Sequence, residues 1–335
     1  MANCNKLFLD FNTNISLVKK QVDALIKSRK AVEATIVKYF KENTTLSVPK
    51  FWIQGSYIMK TLVIKKDGTY DVDLGVYFMD KPEVEAKTVQ NYVKLALKDQ
   101  TGTTPEHRQR CVRVIYAGDY NIDLPVYYKL NEDDHPFIAV KDNGWEESDP
   151  INLKKWFEDK KDSNGQLCRI VKYLKVWADK LNFKAPSGIA LSVWAANNYV
   201  ENEREDVAFL NVLKAIKLEI GTDCNCLNPE SPFDDLTTRL DATQKEKFVT
   251  ALTSIIDDGE LAIDSDNQLE ASKKWRAHLG KDRFPEGKDE DVDAKLELLN
   301  AAKSVVLGGS AKLNKEGEIQ TAQGINHKPH KNYGG

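Results

Sequence analysis

The sequence predicts an α+β fold, with a mixed sheet in the first half of the chain and a largely helical second half. Three observations predict it. Apolar residues recur at helical spacing from about residue 13 to 40, short β-branched and aromatic runs fill most of the next hundred residues, and helical periodicity returns after Pro150. Elements ordered in this way bury their apolar faces against one another in layers.

The first helix rests on Ile15, Val18, Val22, Leu25, Val32, Ile36 and Phe40, with Asn12 or Thr13 as its cap. A helix of that length spans roughly 40 Å and can act as a spine under a whole domain. Strands are predicted at 51–53, 71–78, 111–116 and 121–128, and Gly118-Asp119 between the last two suits a tight hairpin turn. A helical pattern at 84–97 interrupts them. After Pro150, Leu167, Ile170, Leu174, Trp177 and Leu181 form one apolar stripe. Further helices are predicted at 187–199, 206–218, 242–257, 264–279 and 292–307, with a Pro-, Asp- and Asn-rich loop at 224–235. Beyond Gly308 the chain is polar, Gly-rich and without periodicity, as a flexible tail is. The expected organisation is a core with its spine helix at 1–150, a helical lobe at 151–307 and a tail at 308–335.

Composition narrows the partners. The chain has 335 residues, 41% apolar and 30% charged, with a formal net charge of −3. That balance argues against a protein that coats long nucleic acid through a broad basic surface, and it leaves room for a small nucleotide in a local basic pocket. No apolar run approaches the roughly 20 residues of a membrane span, and residues 1–10 do not read as a secretory signal. Cys4, Cys111, Cys168, Cys224 and Cys226 are scattered and odd in number, which reads as reduced and cytoplasmic. Cys224 and Cys226 alone do not make a zinc site.

The candidate chemistry centres on Asp71 and Asp73. On a strand, residues i and i+2 share a face, so both carboxylates project together while Val72, Leu74 and Val76 go to the opposite, buried face. Two carboxylates so placed repel unless a cation lies between them. Hard divalent ions such as Mg²⁺ suit them, because they take oxygen ligands and keep waters for phosphate oxygens. The wet face of an ordinary sheet offers the same pattern, so the pair needs support. Asp123 supplies it, lying mid-strand among apolar neighbours where a carboxylate without a partner is costly. If its strand lies beside that of Asp71, three carboxylates converge and can hold two metals, one activating an attacking hydroxyl and one clamping a departing pyrophosphate. An edge-strand aspartate facing water is the alternative. Upstream, Gln54-Gly55-Ser56 ends a strand in a pair that lets backbone approach a phosphate.

Gly55-Ser56, then Asp71-x-Asp73, then Asp123 on a later strand, all after a long N-terminal helix, resemble the DNA polymerase β-type nucleotidyltransferase superfamily. Within it, the chain is most similar to the bacterial cGAS/DncV-like nucleotidyltransferases (CD-NTases) of anti-phage CBASS signalling, over about residues 13–300. The resemblance implies a polymerase β-type core joined to a helical, oligoadenylate-synthase-like lobe. It implies Mg²⁺ as cofactor, two ions with Mn²⁺ as a substitute, held by Asp71, Asp73 and Asp123. Ribonucleoside triphosphates would be the substrates, ATP first and GTP or a pyrimidine nucleotide besides. The product would be a cyclic di- or trinucleotide that activates a downstream effector.

Three further positions follow from the resemblance. Lys172 matches a lysine these enzymes use on the triphosphate, and Ser187 their phosphate-binding serine at a helix start; a solvated lysine and a plain N-cap are the alternatives. Gly188 stands where relatives can carry a base-stacking aromatic. The tail ends in Gly334-Gly335, and in the resembled systems some synthases are joined through the C-terminal glycine, here Gly335, by a ubiquitin-transfer-like partner. An unconstrained terminus is the other reading. His327 and His330 have nickel-site spacing and otherwise read as solvated. Competing functions are a linear or terminal nucleotidyltransferase acting on RNA, protein or a small molecule, and an inactive nucleotide-binding sensor. The many acidic residues of the helical half (Asp223, Glu230, Asp234, Asp235, Asp257, Asp258, Glu260) disfavour an RNA substrate.

Overall fold

The computed structural model describes residues 2–131, 134–307 and three short strands at 312–313, 319–320 and 325–326. Gly335, His327 and His330 lie outside the described residues.

The chain opens with two helices where the sequence predicted one starting near residue 13: α1 (Asn5–Asn14) and α2 (Lys19–Asn43). Thr13 and Ser16 donate their hydroxyls back to the carbonyls of Leu9 and Asn12 (3.2 and 2.6 Å), bonds that compete with the helical ladder. Val18 is extended, with ψ 160°. Packing explains why the chain must bend here. Leu7, Phe8 and Phe11 of α1 are buried among helices of the second half, whereas Leu25, Val32, Ile36 and Phe40 of α2 are buried against the sheet. One straight helix could not face both.

The sheet is built around β2 (Tyr70–Phe78). Strand β1 (Lys50–Gln54) pairs antiparallel with it and leads directly into the single turn α3 (Gly55–Ile58). On the other edge, β5 (Tyr120–Leu124) and β6 (Val126–Tyr128) pair in parallel with successive stretches of β2. The run 121–128, predicted as a single strand, is thus broken at Pro125, which has no N–H for the ladder; its carbonyl still accepts from Val76 N (2.9 Å). Strands β3 (Glu106–His107) and β4 (Val112–Tyr116) extend the sheet beyond β5, and β7 (Phe137–Val140) and β8 (Gly144–Glu147) extend it beyond β6. The β4–β5 turn lies at Gly118, whose φ is +79°. Helices α2 and α4 (Ala86–Ala96) cover one face, burying Val72, Leu74, Val76, Val112, Val114, Ile122 and Leu124.

The second half comprises α5 (Pro150–Lys160), α6 (Gln166–Lys180), α7 (Gly188–Asn198), α8 (Glu205–Ile220), α9 (Ala242–Asp264), α10 (Gln268–Leu279) and α11 (Glu290–Leu307). Asp149 caps α5, with Pro150 in its first turn, and Asp241 and Gln244 form a capping box on α9. Phe8 of α1 sits among Tyr173, Trp275, Phe284 and Phe209, with ring centroids 4.9–5.7 Å away, so the first residues of the chain complete the core of the last. Phe8→Ala should therefore destabilise the whole protein by about 3–5 kcal/mol. The check is urea unfolding, where the midpoint should fall with the slope unchanged; a midpoint within error of the parent would remove α1 from the core.

Candidate active site

Register brings the acidic residues together. Asp73 lies opposite Asp123 across the parallel β2–β5 ladder, and Asp71 opposite Asn121. The three carboxylates share the face of the sheet that α2 and α4 leave uncovered. Gly55, at the β1–α3 junction, has φ +66°, and a Cβ there would fall on Asp73 Oδ2. Only glycine allows both this conformation and this approach. Gly55, Ser56, Asp71, Asp73 and Asp123 are therefore assembled at one place, and the Ser56 carbonyl accepts from Thr61 N (2.9 Å) to close the turn after α3.

Each outer aspartate has its own cation. Arg113 on β4 faces Asp123 across the hairpin and holds it with two hydrogen bonds, Nε to Oδ1 at 2.7 Å and Nη2 to Oδ2 at 2.6 Å. The same guanidinium reaches Asp71 at 3.4 Å. Lys65 forms an ion pair with Asp71 Oδ2, and Asn121 Nδ2 donates to Oδ1 at 2.8 Å. Burial acts to raise the Asp71 pKa, but the hydrogen bonds from Asn121 and Lys65 and the charges of Lys65 and Arg113 outweigh it and hold the group below its usual value. Asp73 has the opposite fate. Burial, followed by the charges of Asp123 and Asp71, pushes it up to about 7. Among the described residues no three His, Cys, Asp or Glu side chains are already disposed around one ion, because Asp71 and Asp123 are turned to their basic partners. The donor set nonetheless fits a hard divalent cation, being all carboxylate oxygen, with the buried Asp73 crowded by the charges of Asp123 and Asp71.

The remaining predicted residues fall elsewhere. Gln54 is spent in the core, donating from Nε2 to the Tyr127 hydroxyl and accepting from the Tyr77 hydroxyl, both at 3.0 Å. Lys172 points away from the carboxylates and donates to Ser16 Oγ (2.9 Å) and Asn12 Oδ1 (3.4 Å). Lys175, one turn further along α6, is the lysine beside Asp73. Its ammonium donates to the carbonyl and hydroxyl of Thr61 (3.2 and 2.9 Å). Burial pushes it down to about 8, the charge of Asp73 working the other way. Its side chain also packs against Gly188, which sets the start of α7 beside this lysine, where the Ser187 hydroxyl accepts from Ala190 N (3.2 Å) as an N-cap.

Arg113, Lys65, Asn121 and Lys175 escaped the sequence reading. For Arg113 a signal was present: a hairpin centred on Gly118 places residue 113 opposite residue 123. Lys175 carried none, since Lys172 and Lys175 both belong to α6 and only tertiary packing chooses between them.

A Gly-Ser turn feeding a sheet that carries three aspartates on adjoining strands is the arrangement that the resemblance to polymerase β-type nucleotidyltransferases implies. The family model described as "Cyclic GMP-AMP synthase DncV-like, nucleotidyltransferase domain" matches residues 49–127, the stretch that spans Gly55 and all three aspartates. A cyclic GMP-AMP synthase from Escherichia albertii is 28% identical over 251 residues, covering 68% of this chain and 56% of that protein, so the alignment spans little more than half of the relative's length. In fold, the chain is similar to the Vibrio cholerae DncV cyclic AMP-GMP synthase, a prokaryotic cGAS homologue, with a TM-score of 0.74 at 19% identity, covering 85% of this chain and 98% of the other. The same synthase bound to the linear intermediate 5′ pppA(3′,5′)pG matches at 0.73 and 20% identity over 84% and 96%.

The electrostatics of Asp73 give a test that needs no substrate. Its folded pKa, about 7, lies well above the ordinary value for an aspartate. Its contribution to stability is therefore present at low pH and lost as pH rises through about 7. In metal-free buffer with chelator, Asp73→Asn should raise the melting temperature relative to the parent, and by more at pH 8 than at pH 5. An equal gain at both pH values would mean that Asp73 ionises normally.

Proposed function

We propose that the chain is a metal-dependent cyclic oligonucleotide synthase, joining ribonucleoside triphosphates, ATP among them, into a cyclic di- or trinucleotide with release of pyrophosphate. The pairing of Asp73 with Asp123, beside Gly55 and under Lys175, is the observation that carries this reading. The cofactor we propose is Mg²⁺, two ions on Asp71, Asp73 and Asp123, with Mn²⁺ able to substitute; bound there, it would activate the acceptor hydroxyl and neutralise charge on the phosphates.

The protein's own groups account for the rest. Gly55 and Ser56 present backbone and hydroxyl to a phosphate chain at the edge of the carboxylate face. Lys175 and the start of α7, with Ser187, approach from the helical side and supply positive charge to the same phosphates. Arg113 fixes the Asp123 carboxylate through a two-point contact, so that its orientation toward an acceptor ribose is set before substrate arrives. The core tyrosines Tyr77 and Tyr127, joined through Gln54, close off the adjoining part of the sheet face and confine the nucleotides to the carboxylate end. We assign the triphosphate contact to Lys175 and not to Lys172. Anti-phage signalling through a product-activated effector, a cytoplasmic location and conjugation at Gly335 remain part of the same proposal, supported by likeness to the CD-NTases.

The decisive experiment incubates the purified chain with four labelled nucleoside triphosphates and Mg²⁺, then treats the products with phosphatase. A phosphatase-resistant product is expected, and Asp71→Ala with Asp73→Ala should abolish both it and pyrophosphate release. Only phosphatase-sensitive products would favour a linear transferase, and turnover surviving in the double variant would sink the assignment of the site. A second expectation concerns pH. Because Asp73 titrates near 7 in the metal-free chain, ion binding must displace its proton. The apparent affinity for Mn²⁺, followed by electron paramagnetic resonance of the free ion, should fall about tenfold per pH unit below 7; an affinity constant from pH 5.5 to 7.5 would contradict it.

A further inference from the structure

A second cavity lies apart from the catalytic carboxylates. It has a volume of about 500 Å³ and is bounded by Asn12 at the end of α1, Lys60, the α5–α6 connection from Glu158 to Gly165, and Cys168, Arg169 and Lys172 on α6. That volume falls within the roughly 300–1,000 Å³ of small-molecule sites. Asp71, Asp73 and Asp123 take no part in its lining.

Its charge is unbalanced in a definite way. Glu158 is paired with Lys161 at 3.0 Å. Asp162 is consumed at the start of α6, accepting from Gln166 N and Leu167 N at 2.7 and 2.8 Å. Arg169 is held by Glu205 through Nη2 at 2.7 Å and Nε at 3.1 Å. Two cations remain with no carboxylate partner among the described residues. Lys172 bonds only to the neutral groups of Ser16 and Asn12, and burial holds its pKa below the usual lysine value. Lys60 is exposed and carries φ +60°, a conformation that is rare for a residue with a long side chain. Asn12 accepts from Lys172 with its amide oxygen, which leaves its amide hydrogens as donors.

We propose that this cavity is a binding site for a compact dianion, distinct from the nucleotide pocket. Lys60 and Lys172 neutralise its two charges, and Asn12 donates to its oxygens. No aromatic or branched aliphatic side chain lines the space, so it offers nothing for a nucleobase to stack on or for a lipid chain to enter. The site is also wired to the catalytic face. Lys60 immediately precedes Thr61, which holds Lys175, and Cys168 Sγ contacts the Met59 carbonyl at 3.5 Å. An occupant therefore touches the segment that positions the active-site lysine.

The test is calorimetric titration of the full chain, without nucleotide or divalent metal, at ionic strength held constant with chloride. Inorganic phosphate is one probe and citrate the other. Saturable one-site binding is expected, weakened at least tenfold by Lys60→Glu and by Lys172→Met, and unaffected by Lys175→Met. Binding of phosphate alone would assign a phosphoryl ligand, and binding of both would assign compact oxyanions generally. The proposal falls if neither probe saturates, if both Lys60→Glu and Lys172→Met bind as the parent does, or if Lys175→Met abolishes binding while Lys60→Glu does not. Lys60 is exposed, so its variant remains informative even if Lys172→Met folds poorly. No step of the test needs turnover, so it stands independently of the synthase reading.

Discussion

Three carboxylates crowded onto one face of a sheet are the constraint around which the first half of this protein is arranged. Adjacent strands lie about 4.7–4.9 Å apart, so the register that sets Asp73 opposite Asp123 also sets two negative charges side by side. Arg113 absorbs one of them and Lys65 with Asn121 absorbs the charge on Asp71. Asp73, pressed against Gly55, is raised by burial and by the charges of Asp123 and Asp71, which the charges of Lys175 and Arg113 only partly offset. The fold thus concentrates the unrelieved repulsion on the central carboxylate. A divalent ion arriving there gains more than it would between three carboxylates that were each already compensated.

Strand alternation carries this order along the sheet. Tyr127 follows Asp123 across the break at Pro125 and pairs with Tyr77, and these two rings stack at 4.6 Å. Gln54 ties both hydroxyls together, so the face beyond the carboxylates is closed by a small core with Trp52, Ile138 and Val140. The opposite face is apolar apart from tyrosine hydroxyls and lies against α2 and α4. A slip of one residue in β2 would exchange the two faces and bury the aspartates under α2. Apolar patterning on one side and charge on the other therefore specify the same register.

This double specification is why the carboxylates could be read from the sequence. Asp71-x-Asp73 needs only the two-residue period of a strand, and Asp123 stands out because its neighbours Ile122 and Leu124 are apolar. The helical second half was legible for the same reason, its stripes being long and regular. Misreadings arose where local pattern and tertiary packing part company. The periodicity of residues 15–40 continues through a bend because Ile15 and Leu25 are both buried, though in different clusters. Strands β7 and β8 have four residues each, too few for periodicity to register. Gln54 sits beside Gly55 in sequence, yet a side chain one pleat away faces different neighbours, and here they are tyrosines. The choice between Lys172 and Lys175 turns on where the segment 59–61 crosses α6, a fact that no local pattern contains.

That crossing also explains how the two halves act as one body. Residues 60–66 run along α6 between the sheet and the helices: Thr61 accepts from Lys175, Ile64 N donates to the Ile15 carbonyl at 3.0 Å, and Lys66 N donates to Asp179 at 3.0 Å. Arg283, from beyond α10, grips the carbonyls of Ile64 and Lys65. Connectivity would divide the chain near residue 150, whereas packing gives α1 to the helical side and leaves α2 on the sheet. The segment joining β1 and β2 is thus pinned by the helical half at several points, and it carries Lys65 at one end and leads out of Gly55 and Ser56 at the other. Any shift of α6 relative to the sheet must therefore move the Gly55-Ser56 turn and the cation on Asp71 together, which makes the geometry of the carboxylate site a property of both halves.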